Sequence, residues 1–223
     1  MATTGTTRPR QRAQLSREAI IEATLRLTAD GEQITFRALG TSLAADPTAM
    51  YRHFRDKDEL LRAAYDHMML TARAAVDESA PWRDQLRHLA MLSWDSSERH
   101  PHIGVDAPIL TTGGPGELGC IDLMLRLLRE AGLTPTDVVR FYGVIASYIL
   151  SVSANIAAQK LAANARGTDL NPAWLYDVRA IDSDRYPDVA ASRHELSEMS
   201  NEDVYLTGIN VLLDAVEAAA NNS

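Results

Sequence analysis

Apolar residues in the N-terminal quarter of the chain fall on one side of two short helices joined by a tight turn. Thr35 can cap the first helix, predicted over Phe36–Leu43, and Asp46 can cap the second, predicted over Pro47–His53. Proline suits the first helical position because its missing N–H would have no partner there. The second helix is too short to be stable alone, since isolated helices below about 12–15 residues are marginal in water. We therefore expect its neighbours to hold it and present it to a partner.

The spacing divides these helices into a buried face and an exposed one. The face predicted to be buried consists of Leu39, Leu43, Met50 and Phe54, and the opposite face carries Thr48, Ala49, Tyr51, Arg52 and His53. Asp56, followed three residues later by Glu59, forms an acidic capping box for a longer helix that continues to about Val76. The pattern thus predicts a helix-turn-helix followed by a connecting helix.

The remainder of the chain has helical periodicity and no alternation typical of strands. Helices are predicted over residues 82–98, 118–130, 135–162, 187–198 and 201–220, with short helix and loop over 100–116 and a mobile segment over 163–187. Gly132 stands where a C-terminal helix cap belongs. The sequence therefore predicts an all-α fold.

Small residues line one face of the 135–162 helix and one of the last helix. They are Gly143, Ala146, Ser147, Leu150, Ala154, Ala157 and Ala158 in the former, and Val204, Gly208, Val211, Leu212, Ala215 and Ala219 in the latter. Such faces permit close approach of helices. Periodicity alone leaves open whether they pack within one subunit or against a second copy.

Composition and charge narrow the class of protein. The chain has 223 residues, of which 46% are hydrophobic and 23% charged, so it is globular rather than disordered. Residues 1–55 have a net charge of +3, with eight basic and five acidic residues, whereas residues 56–223 have a net charge of −11. Positive charge confined to one end suits a protein that meets nucleic acid there.

The sequence shows no targeting signal, and its cysteine content limits the possible redox chemistry. The N-terminus has no apolar core typical of a secretory signal, and no segment approaches the roughly 18–20 unbroken apolar residues of a membrane span, so we expect a cytoplasmic protein without membrane contact. Cys120 is the single cysteine, which excludes an internal disulfide. Arg8, Arg10 and Arg12 form either a solvated tail or a flexible arm that reaches DNA.

The segment from Leu15 to about Leu61 resembles the DNA-binding domain of the TetR family of transcriptional regulators. The family pattern Thr-x-Arg-x-Leu matches residues 35–39, and Tyr-x-His-Phe-x-x-Lys matches residues 51–57, with the family spacing and no gap. Ala44 departs from the glycine that many members have in the turn, and alanine would be strained there if φ is positive.

The resemblance assigns roles to single residues of this segment. Thr35, Arg37, Tyr51, His53 and Lys57 match positions that usually contact phosphates. Asp46, Pro47, Thr48, Ala49 and Arg52 occupy the exposed recognition positions. Arg52 is the best candidate for a guanine contact, since a guanidinium can bond O6 and N7 together. Phe36 stands where a polar contact is common, so no DNA contact is expected from it.

The C-terminal half resembles the ligand-binding domain of tetracycline repressors more loosely, chiefly over residues 132–159. Asn155 and Met124 replace a Glu and a Gln that contact the metal-chelated drug in those proteins, so neither a metal nor a cofactor is expected. His100 and His102 lack a nearby third ligand. Predicted ligand contacts are Met91, Trp94, His100, Met124, Leu125, Tyr148, Ser151 and Asn155, although core packing explains each of them equally well.

The resemblance implies a three-part organisation: a flexible basic arm over residues 1–14, a helix-turn-helix DNA-binding domain over 15–62, and a helical ligand-binding and dimerisation domain over 63–223. It further implies a homodimeric repressor that binds an inverted-repeat DNA operator and is released by a small hydrophobic effector such as an antibiotic or metabolite. A ligand-independent architectural DNA binder and an all-helical enzyme using His88, Asp95 and His100 remain as alternatives.

Overall fold

The computed structural model describes residues 15–167 and 181–221, and its regular elements within these ranges are all helices. The all-α prediction is therefore confirmed. The helices are α1 Arg17–Ala29, α2 Phe36–Ser42, the 3₁₀ helix η1 Pro47–Arg52, α3 Lys57–Ala75, α4 Trp82–Arg99, α5 Pro101–Gly104, the 3₁₀ helix η2 Ala107–Ile109, α6 Pro115–Glu130, α7 Pro135–Arg166, α8 Pro187–Ala191, α9 Arg193–Glu198 and α10 Asn201–Ala220.

Two hydrophobic cores organise the chain. The N-terminal unit, made of α1, α2, η1 and the first part of α3, encloses a core whose fully buried members include Ile20, Leu39, Met50, Phe54 and Leu60. The body, made of α4, α6, α7 and α10, encloses a second core that includes Trp94, Leu123, Leu127, Leu128, Tyr205 and Leu213. Helix α3 contributes to both, so it joins the two cores as one continuous element.

The caps of the helix-turn-helix form as the sequence predicts. The Thr35 hydroxyl accepts a hydrogen bond from the Ala38 N–H at 3.0 Å, and the Asp46 carboxylate accepts one from the Thr48 N–H at 2.8 Å. The predicted buried face is confirmed for Leu39, Met50 and Phe54, whereas Leu43 is only half-buried.

Two details of the turn depend on close backbone approach. Ala44 has φ +49°, and it is the one non-glycine residue with positive φ in the described part of the chain. A Cβ at Gly40 would lie 2.9 Å from both the Ala45 carbonyl oxygen and the Pro47 Cγ, so only glycine lets α2 and η1 come this close. The strain expected at Ala44 is therefore present.

The second helix is a 3₁₀ helix and not the α-helix that the sequence predicts. The Ala49 N–H donates to the Asp46 carbonyl, and the His53 N–H donates to the Met50 carbonyl, at 2.9 and 3.0 Å. Both are i→i+3 bonds. With only six residues and a proline at its start, η1 gains little from i→i+4 bonds, and a 3₁₀ turn suits such short pieces.

Several predicted boundaries move in the body. Helix α6 begins at Pro115 and not at Leu118, and α7 continues past Ala162 to Arg166, where Gly167 ends it with φ +65°. Residues 163–166 of the predicted mobile segment are therefore helical, and residues 168–180 of that segment, with Pro172, lie outside the described residues. The helix predicted over 187–198 breaks into α8 and α9 at Ser192.

Helix α7 is long and apolar enough to cross a membrane by length and composition alone, although the sequence predicts no such segment. Core helices of globular proteins pass the same test. Only 28% of the 18-residue window is buried within the protomer, and Val139 and Val144 are 62% and 53% exposed. The helix thus has an apolar face that nothing in the described part of this protomer covers.

The strain at Ala44 gives a stability prediction. Ala44→Gly should raise the free energy of unfolding by about 1 kcal/mol, because the left-handed backbone disfavours a Cβ. The neighbouring Ala45→Gly is the matched control, and it should lower stability by about 0.5–1 kcal/mol because it only loosens the unfolded chain. Chemical denaturation measures both. Equal destabilisation by the two variants would show that Ala44 is unstrained.

Candidate DNA interface and ligand cavity

The residues predicted to contact DNA lie at the exposed end of the N-terminal unit. Thr35, Arg37, Asp46, Pro47, Thr48, Tyr51, Arg52 and Lys57 are exposed, and Ala49 and His53 are half-buried. They come from the start of α2, from η1 with its flanking residues, and from the first residue of α3. The turn therefore brings two short segments and a helix start to one surface.

Some polar atoms on this surface are already engaged. Asp46 Oδ1 accepts from both the N–H and the hydroxyl of Thr48 at 2.8 Å, and these bonds, the N–H first, lower the pKa of Asp46. The Thr48 hydroxyl proton is thus used, so this hydroxyl can still accept but cannot donate to DNA without breaking that bond. The Thr35 hydroxyl is held by the cap of α2. Arg37, Arg52 and Lys57 are exposed cations of the same surface.

Tyr51 is held in place by an aromatic neighbour. Its side chain is 62% exposed, and its ring meets the ring of Phe36 edge to face, with centroids 4.8 Å apart and an interplanar angle of 85°. Edge-to-face pairs are a favoured aromatic geometry. Phe36 of α2 therefore supports the Tyr51 ring. The sequence, in which Phe36 replaces a residue that is usually polar, did not predict this role.

Arg17 is a positioning residue that the sequence did not identify. From α1 its guanidinium donates to the His53 carbonyl at 2.7 Å and to Glu59 at 3.1 Å, and it lies 4.1 Å above the Phe54 ring. Glu59 also accepts from the Arg55 backbone and side chain, and these bonds, the backbone one first, lower the pKa of Glu59 to about 2. Arg17 thus joins α1 to the end of η1 and the start of α3.

The capping box at the start of α3 is modified accordingly. Asp56 accepts from the Glu59 N–H at 2.7 Å as predicted, but the Glu59 carboxylate reaches the N–H of Arg55 and not that of Asp56. The Glu59 carboxylate therefore accepts both from the Arg55 N–H, just before α3, and from the guanidiniums of Arg17 and Arg55.

A cavity of about 230 Å³ lies in the body between α3, α4, α6, α7 and the η2 segment. Its lining is mostly apolar, with methionine, leucine, isoleucine and alanine side chains. The polar residues that line it are Tyr65, Ser93, Ser96, Ser97, Thr111, Glu117, Cys120 and Tyr142. Such a cavity matches the usual character of a small-molecule site, in which a few polar groups orient an apolar ligand.

Of the eight residues predicted to contact a ligand, the structure places Met124 alone in the lining of this cavity. Trp94 and Tyr148 flank Tyr205 in an aromatic cluster of the body, and Met91 and Leu125 pack against its core. Ser151 and Asn155 are exposed on α7, and Asn155 accepts a hydrogen bond from Gln159. The core-packing alternative therefore describes Met91, Trp94 and Leu125.

Tyr148 and His100 have structural partners instead. The Tyr148 hydroxyl donates to the backbone carbonyl of Val204 or Tyr205, each at 3.3 Å, and a Cβ at Gly208 would lie 2.0 Å from it. Gly208 therefore accommodates Tyr148 within the protomer. His100 Nδ1 lies 2.9 Å from the Thr28 hydroxyl of α1, and burial lowers its pKa. The described residues contain no cluster of three or more metal-ligating side chains.

Helix α3 docks on the start of α6 through a carboxylate and two glycines. Asp66 of α3 accepts hydrogen bonds from the Thr112 hydroxyl and from the Gly116 and Glu117 N–H groups at 2.8, 3.2 and 3.0 Å. A Cβ at Gly116 would lie 2.0 Å from the Asp66 carbonyl oxygen, and one at Gly114 would lie 2.5 Å from its carboxylate. Asp66 therefore supplies from another helix the cap that α6 lacks.

The segment from α5 to η2 connects the cavity with the N-terminal unit. Ile103 of α5 is fully buried in the N-terminal core, and His102 approaches the Gly31 carbonyl at 3.3 Å. A few residues later, Ala107, Pro108 and Leu110 line the cavity. A molecule in the cavity would therefore touch the two elements, α3 and the η2 segment, that also contact the N-terminal unit.

Comparison with known proteins identifies the fold family. The model of the tetracycline repressor-like C-terminal domain matches residues 76–220, which is well over half of the chain. The chain belongs to the TetR family. The N-terminal motifs that resemble its DNA-binding domain are thus joined to a body of the same family, as the sequence predicted.

Relatives of this TetR-family protein are regulators by name. The chain is 26% identical over 213 residues to the transcriptional repressor DrrR1 of Streptomyces coeruleorubidus, covering 91% of this chain and 77% of DrrR1. The TetR regulator SCO7222 of Streptomyces coelicolor has a TM-score of 0.72 at 27% identity and covers 93% and 100% of the two chains. ActR of Streptomyces coelicolor, solved with actinorhodin, shares the fold at 14% identity, with a TM-score of 0.72 and coverage of 93% and 99%.

Arg17 gives a prediction for this TetR-family protein. Arg17→Ala should lower the free energy of unfolding by about 1 kcal/mol, because it removes a charge-assisted bond to the His53 carbonyl that is partly screened by solvent. Arg26→Ala is the control, since Arg26 lies on the same helix and its guanidinium, which is well exposed, meets only Glu22 among the described residues, at 3.8 Å. Thermal and chemical unfolding measure both. The positioning role is refuted if the two variants are equally stable.

Proposed function

We propose that this TetR-family protein is a ligand-responsive transcriptional repressor that binds an inverted-repeat DNA operator as a homodimer and leaves it when a small, largely apolar molecule enters the body. The observation that carries this proposal is the shared helix α3. Its first residue belongs to the candidate DNA surface, and Tyr65, Met68, Met69 and Ala72 further along it line the cavity. Occupancy of the cavity and orientation of the DNA surface therefore depend on one rigid element.

The DNA surface is proposed to act through two kinds of contact. Arg52 would read a base in the major groove, with the Thr48 methyl and Ala49 against a thymine methyl, while Arg37, Tyr51, His53 and Lys57 would hold phosphates. Lys57 supports this division because a cation at the first position of α3 opposes the helix dipole. A phosphate bound beside it would offset that unfavourable charge.

Dimerisation is proposed to cover the exposed apolar faces of α7 and α10. Val139, Val144 and Val211 are more than half exposed, and a Cβ at Gly143 would meet nothing within 4 Å. The predicted small-residue stripe divides between this face and the protomer interior, where Ala146 and Leu150 line the cavity. A two-fold dimer would place two copies of η1 about 34–36 Å apart, or a multiple of it, which suits successive major grooves.

Release would follow from the position of the cavity. A ligand that binds better to a conformation with wrongly spaced DNA surfaces weakens operator binding by the same factor by which the operator weakens ligand binding. The cavity contacts α3 and also the η2 segment that follows Ile103. Each of these two contacts can couple ligand binding to the position of the DNA surface. Because each DNA surface must fit its own groove, small rotations of α3 suffice to weaken binding.

The proposed organisation follows the predicted division, with a basic arm over residues 1–14, a DNA-binding domain over 15–62 and a ligand-binding and dimerisation domain over 63–223. Helix α3 crosses the boundary at residue 62 without a break. A regulator of this kind acts where chromosomal DNA is, so we propose a cytoplasmic location. The cavity favours a ligand-responsive regulator over a ligand-independent architectural DNA binder. Relatives that are named as transcriptional regulators favour a DNA-binding protein over an enzyme.

Selection of bound sequences from random duplex DNA by the full chain tests the proposed function. We expect an inverted repeat with half-site centres about 10 base pairs apart or a multiple of that spacing. Arg52→Ala should cost about 1–3 kcal/mol on the selected operator and relax preference at one position of each half-site. Lys57→Ala should weaken binding to all sequences and lower the salt dependence by about one phosphate contact.

Arg129→Ala serves as the matched control, since Arg129 is an exposed arginine in the last turn of α6, outside the candidate DNA surface, and should leave operator binding unchanged. Recovery of no preferred sequence, or equal losses for Arg52→Ala and Arg129→Ala, would contradict the proposal.

The dimer is tested separately. Val144→Arg and Val211→Arg should each convert the dimer into a monomer at micromolar concentration, because they place a cation in the centre of a proposed apolar interface. Leu118→Arg is the control, as Leu118 is an equally exposed apolar residue, at 58%, on α6. Light scattering after size-exclusion chromatography measures mass. An unchanged dimer in both valine variants would place the interface elsewhere.

A further inference from the structure

The cavity of the body has an uneven distribution of charge. Among the described residues that line it, Glu117 is the single side chain that is ordinarily charged at neutral pH, and none of them is a lysine, arginine or histidine. The remaining polar groups are hydroxyls and one thiol. A ligand that enters therefore meets one carboxylate in otherwise neutral, mostly apolar surroundings.

One oxygen of the Glu117 carboxylate makes all of the hydrogen bonds that this group forms with the described residues. Oε2 accepts from the N–H groups of Thr112 and Gly113 at 2.8 and 2.6 Å, and the Thr112 hydroxyl lies 3.0 Å from it. These bonds anchor the loop before α6. The second oxygen, Oε1, accepts no hydrogen bond from the described residues, although an ionised carboxylate offers acceptor sites on both oxygens. One oxygen thus fixes the loop, and the other is left for a donor.

Two tyrosines of the lining respond to this charge. Burial raises the pKa of Tyr65 on α3 and of Tyr142 on α7, and the negative charge of Glu117 adds to both effects. The carboxylate field therefore reaches phenols on two other helices that line the cavity. Both phenols remain neutral, and their ring faces are suited to a cation.

We propose that the effector of this cavity is a compact apolar molecule with one protonated amine, whose nitrogen donates to Glu117 Oε1 beside Tyr65 and Tyr142. The inference rests on the proposed function, since it names the chemical class of the ligand for the same site. It excludes ligands with carboxylate or phosphate groups, because these would bring a second negative charge next to Glu117 with no cation to compensate.

Such a ligand would act on the docking of α3. The Thr112 hydroxyl lies 3.0 Å from Glu117 Oε2 and 2.8 Å from Asp66 Oδ1, but its single proton can be donated to only one of them. A cation at Glu117 weakens that carboxylate as an acceptor and shifts the proton towards Asp66. The amine would therefore change the bond between α3 and the loop before α6.

Matched amine and alcohol probes test the proposal on the full-length chain. The pairs are 1-adamantanemethylamine with 1-adamantanemethanol, 1-naphthalenemethylamine with 1-naphthalenemethanol, and 9-anthracenemethylamine with 9-anthracenemethanol. Each pair has one apolar body and differs in charge. Titration calorimetry at pH 7 and physiological salt should give about tenfold or tighter binding of the amine in at least one pair, as expected for a charge-assisted hydrogen bond.

Glu117→Gln should remove this preference and leave binding of the alcohol within about twofold, which also shows that the variant is folded. Asp122→Asn is the control, because Asp122 is an exposed carboxylate on the same helix outside the cavity lining, and it should retain the preference. Loss of the preference in both variants would indicate a general effect of protein charge and overturn the assignment to Glu117.

The outcomes separate this inference from the proposed function. If alcohols bind as tightly as amines to the wild-type protein, the amine class is overturned, while operator binding and a ligand cavity stand. If no probe of any pair binds, the amine class is overturned, and the proposed repressor function stands as long as the chain selects an operator. Operator selection reports independently on DNA binding.

Discussion

The docking of α3 on the start of α6 is the contact on which the arrangement of the molecule depends. At Gly116 the two backbones are so close that any side chain would collide with the Asp66 carbonyl, and the Asp66 carboxylate caps the incoming helix. Because α3 also carries Leu60, Leu61 and Ala64 into the N-terminal core, the tilt of that unit follows from this contact. An Asp66 carboxylate without its donors would be costly, so the docked position is well defined.

The N-terminal unit is attached to the body at a second place, through a smaller contact. Ile103 enters its core from α5, and the Thr28–His100 pair lies beside it. Two attachments, through α3 and through α5, limit how this unit can move relative to the body. Since the cavity touches α3 and the segment after α5, a ligand there bears on both attachments.

Local physical rules explain why the N-terminal unit could be predicted and the cavity could not. The caps at Thr35, Asp46 and Asp56 depend on residues two or three positions away, and the structure forms each of them. The cavity depends on which helices pack together. The hydrophobic periodicity of the sequence does not reveal that α3 and the loop before α6 both line it. Trp94 of α4 and Tyr148 of α7, which the sequence predicts as ligand contacts, therefore lie in the aromatic cluster of the body. The three glycines within residues 112–116 are consistent with close backbone packing at the start of α6. They do not identify Asp66 as the residue packed there.

The net positive charge of residues 1–55 comes from the first 14 residues and not from the folded N-terminal unit. Residues 15–55 hold five arginines and five acidic residues, so the excess of three positive charges in residues 1–55 belongs to Arg8, Arg10 and Arg12. Arg17 and Arg55 are further compensated by Glu59. The folded surface therefore offers DNA only a few cations that form no ion pair with the described residues, chiefly Arg37, Arg52 and Lys57. Few phosphate contacts imply a modest non-specific affinity, so base contacts and pairing of two subunits must supply most of the discrimination.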